Sequence, residues 1–134
     1  MNEYLDLSEA RQIENEHERI FAVAVLLGLP EIWLQHGCTI SAKSGGMGRE
    51  TVVDFVLENR HGEELYIEVT AGNKNSHRKR RQRKTINLAG EGQNYVIVHG
   101  RDIDELRDED APNLREKVIG VLRGRFNGRL FSLQ

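Results

Sequence analysis

The chain is poor in cysteine, proline and aromatic residues, has no long hydrophobic run, and packs six of its 19 basic residues into one short stretch. A single cysteine, Cys38, excludes an internal disulfide framework. No Cys/His spacing matches a zinc site, so a buried structural thiol is its default reading. Two prolines, with 38% hydrophobic and 30% charged residues, exclude the disordered and membrane classes. The longest apolar run, Ile20 to Leu29, falls far short of the roughly 20 residues a spanning helix needs. The first residues, MNEYLDLSEA, are acidic and carry neither the basic flank nor the apolar segment of a secretory signal. A cytoplasmic protein with no membrane partner is expected. At 134 residues it should form one domain, 1–134, large enough to bury a real core.

The net charge of −2 conceals an uneven distribution. The segment HRKRRQRK, His77 to Lys84, holds six of the 19 basic residues and no acid, which leaves the rest of the chain at −8. Such a block is a candidate polyanion contact, with a solvated helix face as the bland alternative.

Periodicity predicts a helix from about Glu9 to Leu27, capped by Ser8 and ended by Gly28 and Pro30, with Ile13, Ile20, Phe21, Ala24 and Leu27 at helical spacing. Its second half is nearly all apolar and should be buried. Cys38 to Lys43 reads as a first strand leading into the loop SGGMGRE. That loop lacks the Gly-Lys-Ser/Thr ending of a phosphate loop and enters a strand, so it is a connection. Strands follow at about Thr51–Glu58 and Glu64–Thr70, with NRHG as the turn between them. Ser76 can cap a helix to about Leu88, and Asn94 to Gly100 has the continuous apolar character of a buried strand. A helical turn or loop over Arg101–Asp110, a helix starting near Ala111 beside Pro112, and a final edge strand in GRLFSLQ complete the chain. This order predicts an α/β fold with a mixed central sheet flanked by helices.

Each hairpin strand carries one internal carboxylate, Asp54 and Glu68. If Glu58 faces Glu64 across the five-residue loop, opposed residues share an index sum of 122, which Asp54 and Glu68 also satisfy. Directly opposed Cβ atoms stand about 4.5 to 5.5 Å apart. Two carboxylates about 4 Å apart repel by about 4 kcal/mol at an effective dielectric of about 20. A shared proton, a cationic side chain or a divalent metal can offset that, and two hard oxygen donors suit Mg²⁺. The alternative is a pair of exposed strand-end acids that pair with Lys or Arg. The histidines show no spacing that suggests acid/base chemistry, and Trp33 and Tyr66 can stack on bases or serve packing.

EHERI in the first helix, VVD ending at Asp54, and IEVT with Glu68 resemble, in their order of elements, the PD-(D/E)XK or restriction-endonuclease-like nucleases. The likeness covers Glu9 to Gly100, and its spacing is most similar to that of archaeal Holliday-junction resolvases. It implies a Mg²⁺-dependent DNA endonuclease, with Mn²⁺ as a substitute metal. Asp54, Glu68 and the backbone carbonyl of Val69 would hold the ion, with Glu18 as a direct or water-mediated ligand, a role for which Glu14 and Glu16 compete. The implied catalytic set is Glu18, Asp54, Glu68, Thr70 and Lys74, and the implied DNA contacts are Arg78, Lys79, Arg80, Arg81, Arg83 and Lys84. A homodimer is a further expectation of the resemblance, because cutting two strands commonly takes two sites. Two positions depart from the pattern. Val53 replaces the motif proline, and Thr70 stands where the motif has its lysine, a role Lys74, Lys79 or Gln82 would have to take over. The competing reading is a catalytically silent nucleic-acid-binding or assembly subunit with the same fold. A third is an interaction protein whose basic segment binds an acidic partner.

Overall fold

The computed structural model describes residues 4–42, 49–70 and 94–124. In chain order the elements are α1 (Leu7–Ala10), α2 (Glu16–Gly28), β1 (Trp33–Ala42), β2 (Arg49–Glu58), β3 (Glu64–Thr70), β4 (Asn94–His99), α3 (Gly100–Asp104) and α4 (Leu114–Gly124). The four strands form one sheet in the order β1-β2-β3-β4. The first two junctions are antiparallel and the third is parallel, so the sheet is mixed and the fold is α/β with flanking helices. The segment 71–93, with the expected helix Ser76–Leu88, and the expected edge strand after residue 127 lie outside the described residues.

One continuous helix was expected where the chain forms two. Asp6, not Ser8, caps α1 through a capping box with Glu9, and Asn15 caps α2 by accepting from the Glu18 N–H at 3.0 Å. Asn15 is a strong capping residue inside an otherwise helical pattern, and it restarts the helix after a turn. The carbonyls exposed at that break are taken up by Arg19, whose Nη1 donates to Ile13 O at 2.9 Å and Glu14 O at 3.4 Å. Periodicity survives because Ile13 still reaches the core, but Leu27 does not and is exposed.

The second half of α2 is buried around most of its circumference, from Phe21 to Val25. Phe21 packs on Phe55 of β2 with ring centroids 5.3 Å apart. Phe55, Leu57, Leu65, Ile67, Val69, Val96 and Val98 line the same face of the sheet and join one apolar core with α2, α3 and α4. Gly28 lets α2 and α4 approach closely, since a Cβ there would stand 3.2 Å from Val118 Cγ2. Arg115 of α4 braces the same end, donating to both carboxylate oxygens of Glu31 at 3.0 and 2.6 Å. That ion pair holds the Glu31 carboxyl below its usual range.

The hairpin β2–β3 adopts the predicted register, with Glu58 opposite Glu64 and Phe55 opposite Ile67. Its cause is Asn59, 1% exposed, whose side-chain oxygen accepts from the N–H groups of His61 and Glu63 at 3.0 Å each. The side-chain amide also donates to Glu63 Oε1 at 2.7 Å. A polar side chain satisfied this fully inside a turn fixes loop length, and loop length fixes register.

Candidate active site

Side chains alternate along a strand, so the face opposite Phe55 and Ile67 carries Asp54, Val56, Tyr66, Glu68 and Thr70. The last ladder pair between β2 and β3 is Phe55–Ile67, and that register continued by one step would set Asp54 across from Glu68. There the Asp54 carboxylate takes the place of a ladder partner. Its Oδ2 accepts from the backbone N–H of Val69 at 2.7 Å, a short charge-assisted bond. A strand residue sends its N–H and C=O to the same side, so the Val69 carbonyl is directed toward β2 as well.

The other side of Asp54 is also irregular. The β1–β2 register places Gly37 opposite Asp54, between the pairs His36–Phe55 and Cys38–Val53. Gly37 has φ of +69°, a left-handed conformation that glycine adopts without the steric cost other residues incur. Both neighbouring ladders therefore depart from regular pairing at the level of one carboxylate, as strands do where a side chain is re-aimed.

Glu68 is only 1% exposed and its Oε1 is enclosed by protein, whereas Asp54 is half-buried. Thr70, at 9%, follows Glu68 on the same face and lies opposite His99 of β4. His99 was not singled out in the sequence because it reads as the end of an apolar run. Only the parallel register of β4 brings it beside Thr70. Its backbone N–H is accepted by Asp102 Oδ2 at 3.2 Å, which ties the strand end to α3.

Glu18 is not brought to this pair. Its Oε1 stands 2.8 Å from His36 Nε2, and His36 stacks over Phe55 at 4.9 Å, on the α2 side of the sheet. Asn15 sets this outcome by starting α2 so that Glu18 faces β1. Lys74 and the basic residues Arg78, Lys79, Arg80, Arg81, Arg83 and Lys84 lie outside the described residues. Trp33 is exposed and tilts against Tyr4 at 6.4 Å.

The donors that these neighbouring strand positions offer are two carboxylates and a backbone carbonyl, all hard oxygens. Mg²⁺ binds through one or two carboxylates and keeps several waters, so this set fits it without a third acidic side chain. Among the described residues no three His, Cys, Asp or Glu side chains cluster as a metal group. Among those residues also, no helix is long and apolar enough to cross a membrane.

No protein-family model matches the chain, and no curated protein matches it. Among solved structures it is similar to protein VC1899 from Vibrio cholerae, at 14% identity and a TM-score of 0.43 over 84% of this chain. The matched region spans 37% of that protein's length.

Proposed function

We propose that the chain is a Mg²⁺-dependent DNA endonuclease of the PD-(D/E)XK type, with Asp54 and Glu68 as its metal-binding carboxylates. The observation that carries this reading is the pair itself. Two carboxylates from adjacent strands share one face and one register, and Asp54 is tied to β3 by the Val69 N–H. Burying acids side by side is costly unless a cation or a proton joins them.

In this reading Asp54, Glu68 and the Val69 carbonyl hold the ion. The Asp54–Val69 hydrogen bond sets the angle of the carboxylate, so that little reorganisation accompanies binding. Bound Mg²⁺ would acidify a coordinated water and stabilise charge on the scissile phosphate. The Thr70 hydroxyl can hydrogen-bond to that water or to a phosphate oxygen, but it supplies no positive charge. The basic segment 77–84 would hold the nucleic-acid backbone with little base specificity. The homodimer belongs to the same proposal.

Thr70 in the motif-lysine position favours a second reading, a catalytically silent nucleic-acid-binding subunit. Labelled linear, branched and single-stranded DNA incubated with Mg²⁺ or Mn²⁺ separates the two. The nuclease reading expects cutting by the wild type that Asp54→Ala and Glu68→Ala both abolish. DNA binding with no cutting on any substrate in either metal would hand the lead to the silent subunit.

A further inference from the structure

A concavity lies on the other side of the sheet, where α1, α2 and the chain after α3 meet. It encloses about 300 Å³. Val23 and Leu106, 3% and 1% exposed, form its floor with Ile20. Three arginines from separate stretches of chain, Arg11, Arg19 and Arg107, complete its lining. Against them the wall holds one carboxylate, that of Glu109.

The three arginines are held differently. Arg11 forms a two-bond fork with Glu109, at 3.1 and 2.9 Å. Arg107 is placed between Asp104 at 2.9 Å and Glu16 at 3.4 Å, neither of which lines the cavity. Arg19 donates only to backbone carbonyls, those of Ile13 and Glu14, and no carboxylate among the described residues forms an ion pair with it. Its head is thus oriented by the helix break while its charge is left for another partner. An oriented, part-buried guanidinium beside an apolar floor binds carboxylate or phosphate oxygens in its fork and can stack on a flat ring.

We propose that this cavity binds a small amphipathic anion, a compact apolar or aromatic body bearing one carboxylate or phosphate group, with Arg19 holding the head group and Ile20, Val23 and Leu106 covering the body. Its volume is that of about ten waters at roughly 30 Å³ each, the small end of ligand pockets. A single ring with a short head group fits, and a polymer does not. The site stands apart from the nuclease reading, because α2 packs on the sheet face opposite Asp54 and Glu68.

The test is an NMR titration of the ¹⁵N-labelled full chain with benzoate and with phenyl phosphate, and with the neutral benzyl alcohol as control. Amide shifts of Ile20, Val23 and Leu106 report the cavity, and those of residues 77–84 report diffuse anion binding to the basic segment. One or both anions should move the cavity amides in a saturable way, and the comparison identifies the preferred head group. The neutral alcohol should bind at least about tenfold more weakly, as should either anion to Arg19→Gln. Ile20→Trp, which fills the cavity and leaves Arg19 in place, should remove saturation, while Asp54→Asn should leave it unchanged. Shifts confined to residues 77–84, or equal affinity in wild type, Arg19→Gln and Ile20→Trp, would overturn the proposal.

Discussion

Substituting Asp54 in two ways separates its structural bond from its charge. Asp54→Ala removes the acceptor that stands 2.7 Å from the Val69 N–H, on a residue only 7% exposed. Losing a hydrogen bond to a charged acceptor costs about 1.5 to 3 kcal/mol. Asp54→Asn keeps an oxygen in place but makes the bond neutral, at roughly half the strength. Both substitutions also remove the repulsion with Glu68, about 3 kcal/mol for charges about 5 Å apart at an effective dielectric of about 20. That relief is common to the two and cancels when they are compared with each other. Urea unfolding in EDTA, followed by circular dichroism, should therefore find Asp54→Ala less stable than Asp54→Asn by about 0.8 to 1.5 kcal/mol. Equal midpoints and slopes for the two would refute the idea that this bond fastens β2 to β3 beyond the last ladder pair.

Phe55→Ala, which removes the ring that packs on Phe21, should cost about 3 to 5 kcal/mol in the same urea assay, as buried Phe truncations do. Glu64 carries a pH signature: burial first, and then the charge of Glu58 opposite it, push its carboxyl above the ordinary range. An acid whose folded pKa is raised contributes most below its unfolded pKa and loses that contribution as pH rises through the folded one. Glu64→Gln should accordingly be more stable than wild type at pH 7, by roughly 0.5 kcal/mol given the partial solvation of the pair. The gain should vanish at acid pH, and a gain that persists there would exclude the charge as its cause. Replacing Arg78, Arg80 and Arg81 together by Gln should weaken DNA binding and lower the slope of log affinity against log salt by roughly 0.9 for each phosphate no longer neutralised. An unchanged slope in a filter-binding or fluorescence assay would refute the proposed role of the basic segment in holding DNA.

The hairpin was legible because its signals are local. Alternating apolar residues run up to NRHG, and Asn59 inside that turn fixes the register that aligns Asp54 with Glu68. The continuous apolar run of β4 and the apolar second half of α2 were equally readable, since burial on every side leaves only apolar residues in the pattern. The break at Asn15 was hidden, because hydrophobic spacing carries across a one-turn interruption and a capping residue inside a helical pattern competes with helix propensity rather than cancelling it. That break decides where Glu18 points, and it sends the residue to His36 on the far face instead of to the carboxylate pair. Gly37 lies just before the strand expected from Cys38, and its left-handed backbone opposite Asp54 emerges only in three dimensions. The arginines of the helical-side cavity come from three stretches without shared spacing, so only the packing of α1, α2 and α3 brings them together.

The central claim is that Asp54 and Glu68 form one divalent-metal site. Calorimetric titration of Mn²⁺ and Mg²⁺ into the wild type, Asp54→Asn and Glu68→Gln tests it without relying on catalysis. Saturable binding near one ion per chain is expected in the wild type, with its loss in each variant while both remain folded. Wild-type binding that persists unchanged in both variants, or no binding to the wild type at millimolar metal, would contradict it.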